Sequence, residues 1–152
     1  MVKLCDDFCK IAALWSEAFG DSLDDIKYFC DNLKHGECYS LIKNGETASL
    51  LFLIDCKLGE HNAKYVYAAC TSKRFRKQGC MSELLKYICD EFKYVCLIPA
   101  DEKLVGYYKN RGFDTVWNVD ELSFFENDVI NNEYLFEGCS LDKPVVLLNR
   151  GK

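Results

Sequence analysis

The sequence of 152 residues lacks the features that mark several classes of protein. No apolar run approaches the roughly 20 residues that span a bilayer, and no charged and then apolar signal segment opens the chain. Its two prolines, Pro99 and Pro144, lie far apart, so no proline-rich linker divides the chain. We therefore expect one soluble, cytoplasmic domain over residues 1–152 that does not bind a membrane.

Histidine is scarce, and cysteine is abundant but poorly spaced for a metal site. The two histidines, His35 and His61, lie beside Gly36 and Glu60 in expected loops, so we predict surface histidines and no metal site. No two of the ten cysteines have the C-x-x-C spacing of a zinc ribbon or redox motif. Because most lie among apolar residues, we expect buried free thiols, with a redox-responsive or metal-binding protein as the alternative.

Positive charge is also in deficit. The formal net charge is -5, so the molecule as a whole repels nucleic acid and anionic membranes. We therefore expect no nucleic-acid partner, and any anion site must be local. With 49% hydrophobic and 14% aromatic residues, the chain can bury one substantial core.

The first two thirds of the chain carry clear periodic patterns. Apolar residues recur at three- and four-residue intervals over residues 8–19 and 23–33, which predicts two opening helices. Asn44-Gly45 predicts a tight hairpin between two strands. A third strand, "KYVYAACT", leads through a basic segment into a helical stripe over residues 81–92 and then into the strand "YVCLIPA". This order suits a parallel crossover.

The remaining segments complete an α+β chain. The stretch "DEKLVGYYKNRG" predicts a short helix closed by Gly112, and strands are expected in "FDTVWNVDELSFF", "EYLFEG" and "VVLLNR". We predict a mixed sheet, mainly antiparallel at its front and parallel around residues 94–99.

The basic segment is the most specific functional signal. Lys73, Arg74, Arg76 and Lys77 precede Gly79, which opens the helical stripe. The first turn of a helix presents unpaired backbone N–H groups and partial positive charge, so a loop around Gly79 can cradle a phosphate. The alternatives are a solvated basic turn and a nucleic-acid or nuclear-localisation patch.

Two blocks resemble the GNAT acyltransferase superfamily. Residues 76–81 resemble its [Q/R]-x-x-G-x-[G/A] signature, which binds the pyrophosphate of acetyl-CoA, with Met81 in place of the final Gly or Ala. Residues 99–113, "PADEKLVGYYKNRGF", resemble the later N-x-x-A-x-x-x-Y segment with its following G-F. Here Asp101 and Leu104 replace the Asn and the Ala, and Tyr108 matches the tyrosine. The resemblance covers residues 4–113.

The resemblance implies a GNAT-like fold, with a mainly antiparallel twisted sheet flanked by helices and a β-loop-α-β core that binds acetyl-CoA. It implies an N-acetyltransferase that moves the acetyl group of acetyl-CoA to a primary amine by direct attack in a ternary complex, without a metal. The acceptor is a small-molecule or peptide amine that the sequence does not identify, and the oligomeric state stays open. The departures at Met81, Asp101 and Leu104 keep a non-catalytic acyl-CoA-binding or sensor module as the alternative.

The resemblance also implies roles for particular residues. Tyr108 is expected to be the catalytic acid that protonates the departing thiolate, with aromatic packing as the alternative role. A main-chain N–H near Cys70 is expected to polarise the thioester carbonyl, whereas a nucleophilic Cys70 lacks a nearby base. No general base is assigned. The implied cofactor-binding residues are Cys70, Thr71, Arg76, Lys77, Gln78, Gly79, Cys80, Met81, Ser82 and Asp101.

Overall fold

The computed structural model describes residues 1–151, without the side chains of residues 132, 133 and 137. Its helices are α1 (Phe8–Phe19), α2 (Leu23–Asn32), α3 (Cys80–Glu91), α4 (Glu102–Lys109) and α5 (Asn132–Glu137). Its strands are β1 (Val2–Leu4), β2 (Gly36–Lys43), β3 (Glu46–Leu58), β4 (His61–Thr71), β5 (Tyr94–Leu97), β6 (Thr115–Asn118), β7 (Leu122–Phe124) and β8 (Val145–Arg150). None of the helices in the described part of the chain is long and apolar enough to cross a membrane.

The two opening helices form where the apolar periodicity predicts them, and local capping fixes their ends. The Asp7 carboxylate accepts hydrogen bonds from the backbone N–H groups of Cys9 and Lys10 and so begins α1. Gly20, with a φ of 75°, ends that helix in the left-handed conformation that glycine adopts without strain. The Ser22 hydroxyl caps α2.

All the strands join one sheet in the order β1-β2-β3-β4-β5-β8-β6, and β7 pairs with the far end of β3. Every pairing is antiparallel except that of β4 with β5, which α3 connects as a crossover. The expected mixed, mainly antiparallel α+β fold is therefore confirmed. The parallel pair lies in the middle of the sheet, where both faces are covered.

Two apolar layers cover the two faces of the sheet, because side chains alternate along the long strand β3. Leu50, Phe52 and Ile54 point toward α1 and α2, whereas Leu51 and Leu53 point toward α3. The α1–α2 layer adds Ile11, Trp15, Ile26 and Phe29, and the α3 layer adds Leu84, Leu85, Ile88 and Phe113. Helix α4 packs at the edge of the α3 layer.

Two sequence expectations near the C-terminus need correction. The segment "EYLFEG" was predicted as a strand but forms α5, because the Asn131 side chain accepts a hydrogen bond from the Tyr134 N–H and caps a helix there. The segment "FDTVWNVDELSFF" is split into β6 and β7 by a 3-10 turn at Val119–Glu121. The residue types in both segments favour strands, and local side-chain caps override that preference.

The cysteines follow expectation, whereas the expected surface histidines need correction, and His61 lies in β4. His35 stacks on Phe125 and His61 stacks on Tyr94, so both imidazoles are half-buried against rings. The cysteines are free thiols; Cys9 is exposed, and the others are buried or half-buried. Among the side chains that the structure describes, no group of three or more His, Cys, Asp or Glu could hold a metal ion.

Candidate active site

The central feature of the site is a gap between the parallel strands β4 and β5. Their pairing consists of Lys64 with Val95 and Tyr65 with Cys96. Beyond that point the Ile98 N–H donates to the Tyr65 phenol oxygen at 3.1 Å. A backbone amide that leaves a β-ladder needs another hydrogen-bond partner. The Tyr65 hydroxyl supplies that partner at the point where the two strands separate.

A bulge in β4 accounts for the divergence. Leu50 pairs with Cys70 and Phe52 pairs with Tyr67, so two residues, Ala68 and Ala69, stand opposite one residue of β3. Ala68 has a φ of 54°, which a non-glycine residue seldom adopts. A bulge of this kind bends its strand and increases the local twist. Strand β4 therefore turns away from β5 and offers its backbone to the gap.

The gap opens into a cleft of about 470 Å³. Ala68 and Ala69 form one wall and Leu97, Ile98 and Ala100 form the other. The cleft continues to both faces of the sheet. Its lining on the α4 side includes Leu104 and Tyr108, and its lining on the α1 side includes Trp15, Phe19, Asp21, Tyr67, Tyr134, Leu135, Gly138 and Cys139.

Tyr108 lines the cleft from α4. Its ring packs edge-on against Phe113, with centroids 5.7 Å apart, and against Tyr107, with centroids 5.2 Å apart. Its hydroxyl forms no hydrogen bond with any described residue. Burial is the main cause that raises the pKa of Tyr108 to about 12, with a smaller contribution from Tyr107. The phenol therefore keeps its proton at neutral pH and is free to donate it.

The basic segment forms a loop that ends at the start of α3. Lys77 and Gly79 have φ values of 64° and 77°, and Gly79 is the N-cap of the helix. A Cβ built on Gly79 would meet no atom within 4 Å, so the space beside the loop is open. Buried Phe75 anchors the loop to the sheet. The backbone of residues 78–82 can thus face an anion at the helix start.

The four basic residues of the loop are all exposed, but two of them form contacts within the protein. Arg74 forms an ion pair with Glu46, so it is engaged by the protein. The Arg76 Nε–H donates to the Thr71 carbonyl oxygen at 3.2 Å, which ties the loop to the end of β4. Lys77 is exposed and has no ion pair with a described residue. The expected cluster of four free cations is therefore reduced by the Arg74 pair.

Other predicted residues contribute through backbone or packing. Burial raises the pKa of the Cys70 thiol to about 12, so it stays protonated and unreactive, as expected of a residue that acts through its main chain. The Thr71 hydroxyl shares a hydrogen bond of 2.8 Å with buried Ser49. Cys80 is buried in the α3 layer and Met81 packs against it. The Gln78 amide donates to the Arg74 carbonyl oxygen at 3.0 Å.

Asp101 and Ser82 lie at the starts of two helices. The Asp101 carboxylate accepts from the Leu104 N–H at 2.8 Å and caps α4. Its role in cofactor binding stays a prediction. The Ser82 hydroxyl, in the first turn of α3, accepts from the Arg111 Nε–H at 2.8 Å. Arg111 also lies over the Tyr107 ring at 3.4 Å, so a fixed guanidinium stands beside the loop.

Sequence reasoning missed Arg111, beside the start of α3, and several residues of the cleft. Arg111 stood inside the recognised "NRGF" segment, but its position beside Ser82 depends on the packing of α4 near α3. Trp15, Asp21 and Tyr67 lie on separate elements, and only the folded chain brings them together. Tyr134 was assigned to a strand. The one sequence feature that pointed to this side of the cleft was a charged residue, Asp21, close after the apolar pattern of the first helix.

Comparisons with known proteins identify the family to which the fold belongs. The family model described as acetyltransferase (GNAT) domain matches residues 5–116. This chain belongs to the GNAT acetyltransferase family. A search of curated protein sequences finds no match to it.

Solved structures share the fold at low sequence identity. A protein from Corynebacterium glutamicum, described as a histone acetyltransferase and related acetyltransferase, has a TM-score of 0.70 and 13% identity, with 100% of this chain and 96% of that chain covered. A GNAT family acetyltransferase from Elizabethkingia anophelis, solved with acetyl-CoA bound, has a TM-score of 0.62 and 14% identity over 99% and 97%.

A third likeness involves a larger protein. A probable N-acyltransferase of Enterococcus faecalis has a TM-score of 0.52 and 13% identity. The alignment covers 71% of this chain and 31% of that protein, so the chain spans about a third of its length. At these identities the likenesses show the fold.

The first prediction concerns Tyr65. Tyr65→Phe keeps the ring but leaves the Ile98 N–H without its acceptor, so it should lower the free energy of unfolding by about 1–3 kcal/mol. Denaturant unfolding measures this change. Tyr94→Phe is the control, because the Tyr94 ring stacks on His61 and its hydroxyl forms no hydrogen bond with a described residue. Equal stability of the two variants would contradict a structural role for the Tyr65 hydroxyl.

The second prediction concerns Gly79. Coenzyme A should raise the melting temperature of the parent protein in a concentration-dependent way, because a ligand that binds only the folded state stabilises it. Gly79→Ala should remove this shift, since the new methyl group projects into the open space beside the loop. Its left-handed φ should also cost about 1–2 kcal/mol of stability.

Gly20→Ala is the matched control for this experiment. Gly20 has a φ of 75° and an equally open surrounding, so it suffers the same backbone strain away from the loop. This variant should lose stability but keep the full shift with coenzyme A. A shift retained by Gly79→Ala would remove the loop from the binding site.

Proposed function

We propose that the chain is an acetyl-CoA-dependent N-acetyltransferase that acetylates a primary amine by direct attack within a ternary complex. The observation that carries the proposal is the cleft between β4 and β5, which is lined by a protonated Tyr108 whose hydroxyl lacks a protein partner. The open phosphate loop before α3 supports it, as does the likeness to a GNAT acetyltransferase solved with acetyl-CoA bound.

The chain supplies groups that fit each part of acetyl-CoA. The backbone N–H groups of residues 78–82, at the start of α3, suit the pyrophosphate. Lys77 and Arg111 supply positive charge beside them. Beyond Tyr65, the edge of β4 that faces the gap has no strand partner among the described residues, so it suits an extended arm that pairs with it like a further strand. The gap in the sheet thus suits a linear, extended ligand.

The proposed reaction asks little of the side chains. Acetyl-CoA supplies a thioester carbonyl, and a neutral amine nitrogen forms a bond to its carbon while the carbon–sulfur bond breaks. A main-chain N–H near Cys70 stabilises the oxyanion, and the Tyr108 hydroxyl gives its proton to the sulfur. The amine loses its extra proton to solvent, from which the Tyr108 phenolate regains one. Direct attack is favoured because Cys70 is buried and protonated.

The third prediction tests Tyr108. Tyr108→Phe keeps the ring and its packing on Phe113, so the fold and the affinity for acetyl-CoA should survive. The rate constant kcat should fall about 10- to 1000-fold, the range for loss of one acid–base partner, without a comparable rise in KM. Thiol release with a panel of primary amines measures both constants.

Tyr107→Phe is the matched control on the same helix. Its ring packs against Arg111, and its hydroxyl forms no hydrogen bond with a described residue. It should turn over near the parent rate. Equal kcat values for Tyr107→Phe and Tyr108→Phe would contradict the role of Tyr108 as the acid. If the parent protein binds coenzyme A but releases no thiol with any amine, a non-catalytic binding module is favoured instead.

The fourth prediction concerns pH. Burial raises the pKa of Tyr108 to about 12, so the phenol keeps its proton to a higher pH than an ordinary tyrosine does. We expect kcat/KM to rise with pH as the acceptor amine loses its proton, with no descending limb below about pH 10. A descending limb with an apparent pKa well below 10, in a protein that circular dichroism shows to be folded, would argue against Tyr108 as the acid.

A further inference from the structure

The α1 side of the cleft carries a single formal charge. Among the described residues that line the cleft, Asp21 is the one ionisable acid or base of the Asp, Glu, Lys, Arg or His types. Its neighbours there are aromatic, aliphatic, glycine or cysteine residues. An acceptor that enters this half of the cleft therefore meets one carboxylate in an otherwise apolar surrounding.

The Asp21 carboxylate is held in place by a buried indole. The Trp15 Nε1–H donates to its Oδ2 at 2.7 Å. Trp15 is only 2% exposed and packs edge-on against Phe29 and Phe52 at 5.2 and 5.6 Å. The rigid indole fixes one carboxylate oxygen, while Oδ1 forms no hydrogen bond or ion pair with a described residue. That oxygen is free to accept from a ligand.

Aromatic rings line the cleft near Asp21, which is itself an exposed residue. The Tyr67 ring lies 5.9 Å from the ring of Trp15 and 5.9 Å from that of Tyr134. The Tyr67 hydroxyl donates to the Tyr134 hydroxyl at 2.8 Å. Burial, followed by Tyr134 and the charge of Asp21, raises the pKa of Tyr67, so its phenol stays neutral. Ring faces beside a carboxylate attract organic cations.

We propose that Asp21 binds the acceptor as its ammonium ion, which passes a proton to solvent before the neutral nitrogen attacks, and that the acceptor is an arylalkylamine or alkylamine without a carboxylate next to its amine. The proposal rests on the N-acetyltransferase function proposed above. An amino acid would bring its α-carboxylate into a cleft where no described lining residue carries a positive charge. Asp21 would repel that carboxylate, and desolvation would penalise it further. The cleft therefore selects for apolar amines by attraction and against amino acids by repulsion.

A matched pair of acceptors tests the selection. Phenethylamine and phenylalanine differ by one carboxylate, so their ratio of kcat/KM isolates its effect. In the parent protein, kcat/KM for phenethylamine should exceed that for phenylalanine by at least about 10-fold. Both amines can form a charge-assisted hydrogen bond with Asp21, but the carboxylate of phenylalanine finds no positive charge among the described residues that line the cleft. A preference for phenylalanine would overturn the proposal.

Asp21→Asn tests the residue itself. The amide oxygen can still accept from the Trp15 indole, so the turn should keep its position. We expect kcat/KM for phenethylamine to fall on the order of 10-fold, chiefly through KM, and the ratio between the two acceptors to narrow. Asp24→Asn removes the same charge from the first turn of α2, outside the cleft lining, and should leave both values unchanged. A parent-like Asp21→Asn variant would overturn the proposal.

A binding measurement separates this proposal from the proposed function. Calorimetric titration of phenethylamine into the protein saturated with coenzyme A should show binding that Asp21→Asn weakens and Asp24→Asn does not. This result would support the role of Asp21 even if no amine released thiol, in which case catalysis alone would be contradicted. No binding of phenethylamine, or equal binding by parent and Asp21→Asn, would overturn the inference whether or not other amines are acetylated.

Discussion

The hydrogen bond from the Ile98 N–H to the Tyr65 hydroxyl marks the constraint on which the site depends. A parallel pair in the middle of a sheet normally satisfies its backbone groups by continuing the ladder. Here the ladder stops after Tyr65 and Cys96, and one buried phenol closes it. Beyond it, the bulge at Ala68 turns β4 aside, so two strands offer backbone groups and small side chains to a ligand.

The two sides of the gap also carry different chemical groups. The loop before α3, which ends at Gly79, and Arg111 lie on the α3 and α4 side and suit an anionic ligand. Tyr108 lies on the same side and suits a leaving group that needs a proton. On the α1 side lie aromatic rings and one carboxylate, Asp21, which suit a cation. Because the sheet lies between these regions, a chain with a net charge of -5 can bind an anion and a cation at one cleft. In the proposed function, the two ligands meet beside Ala68 and Ala69.

Sequence periodicity predicted the elements that hold the site better than it predicted the site itself. The opening helices, the hairpin and the crossover follow from local patterns, and Gly79 and Tyr108 followed from motifs with fixed spacing. The pairing of Arg74 with Glu46 was not predictable, because the two residues are distant in the sequence and only folding brings them together. The α1 wall was missed for the same reason, and α5 was misassigned because a single Asn131 cap outweighs the strand preference of its aromatic residues.

Amide hydrogen exchange with and without coenzyme A tests the central claim, that the gap between β4 and β5 holds the ligand, most directly. An arm that pairs with the freed backbone of β4 should slow exchange at residues 68–71, and a pyrophosphate at the start of α3 should slow it at residues 78–82. Exchange in β1 and β2, which lie at the far edge of the sheet, should change little. Protection confined to surfaces outside these two segments, or no protection at saturating coenzyme A, would contradict the account.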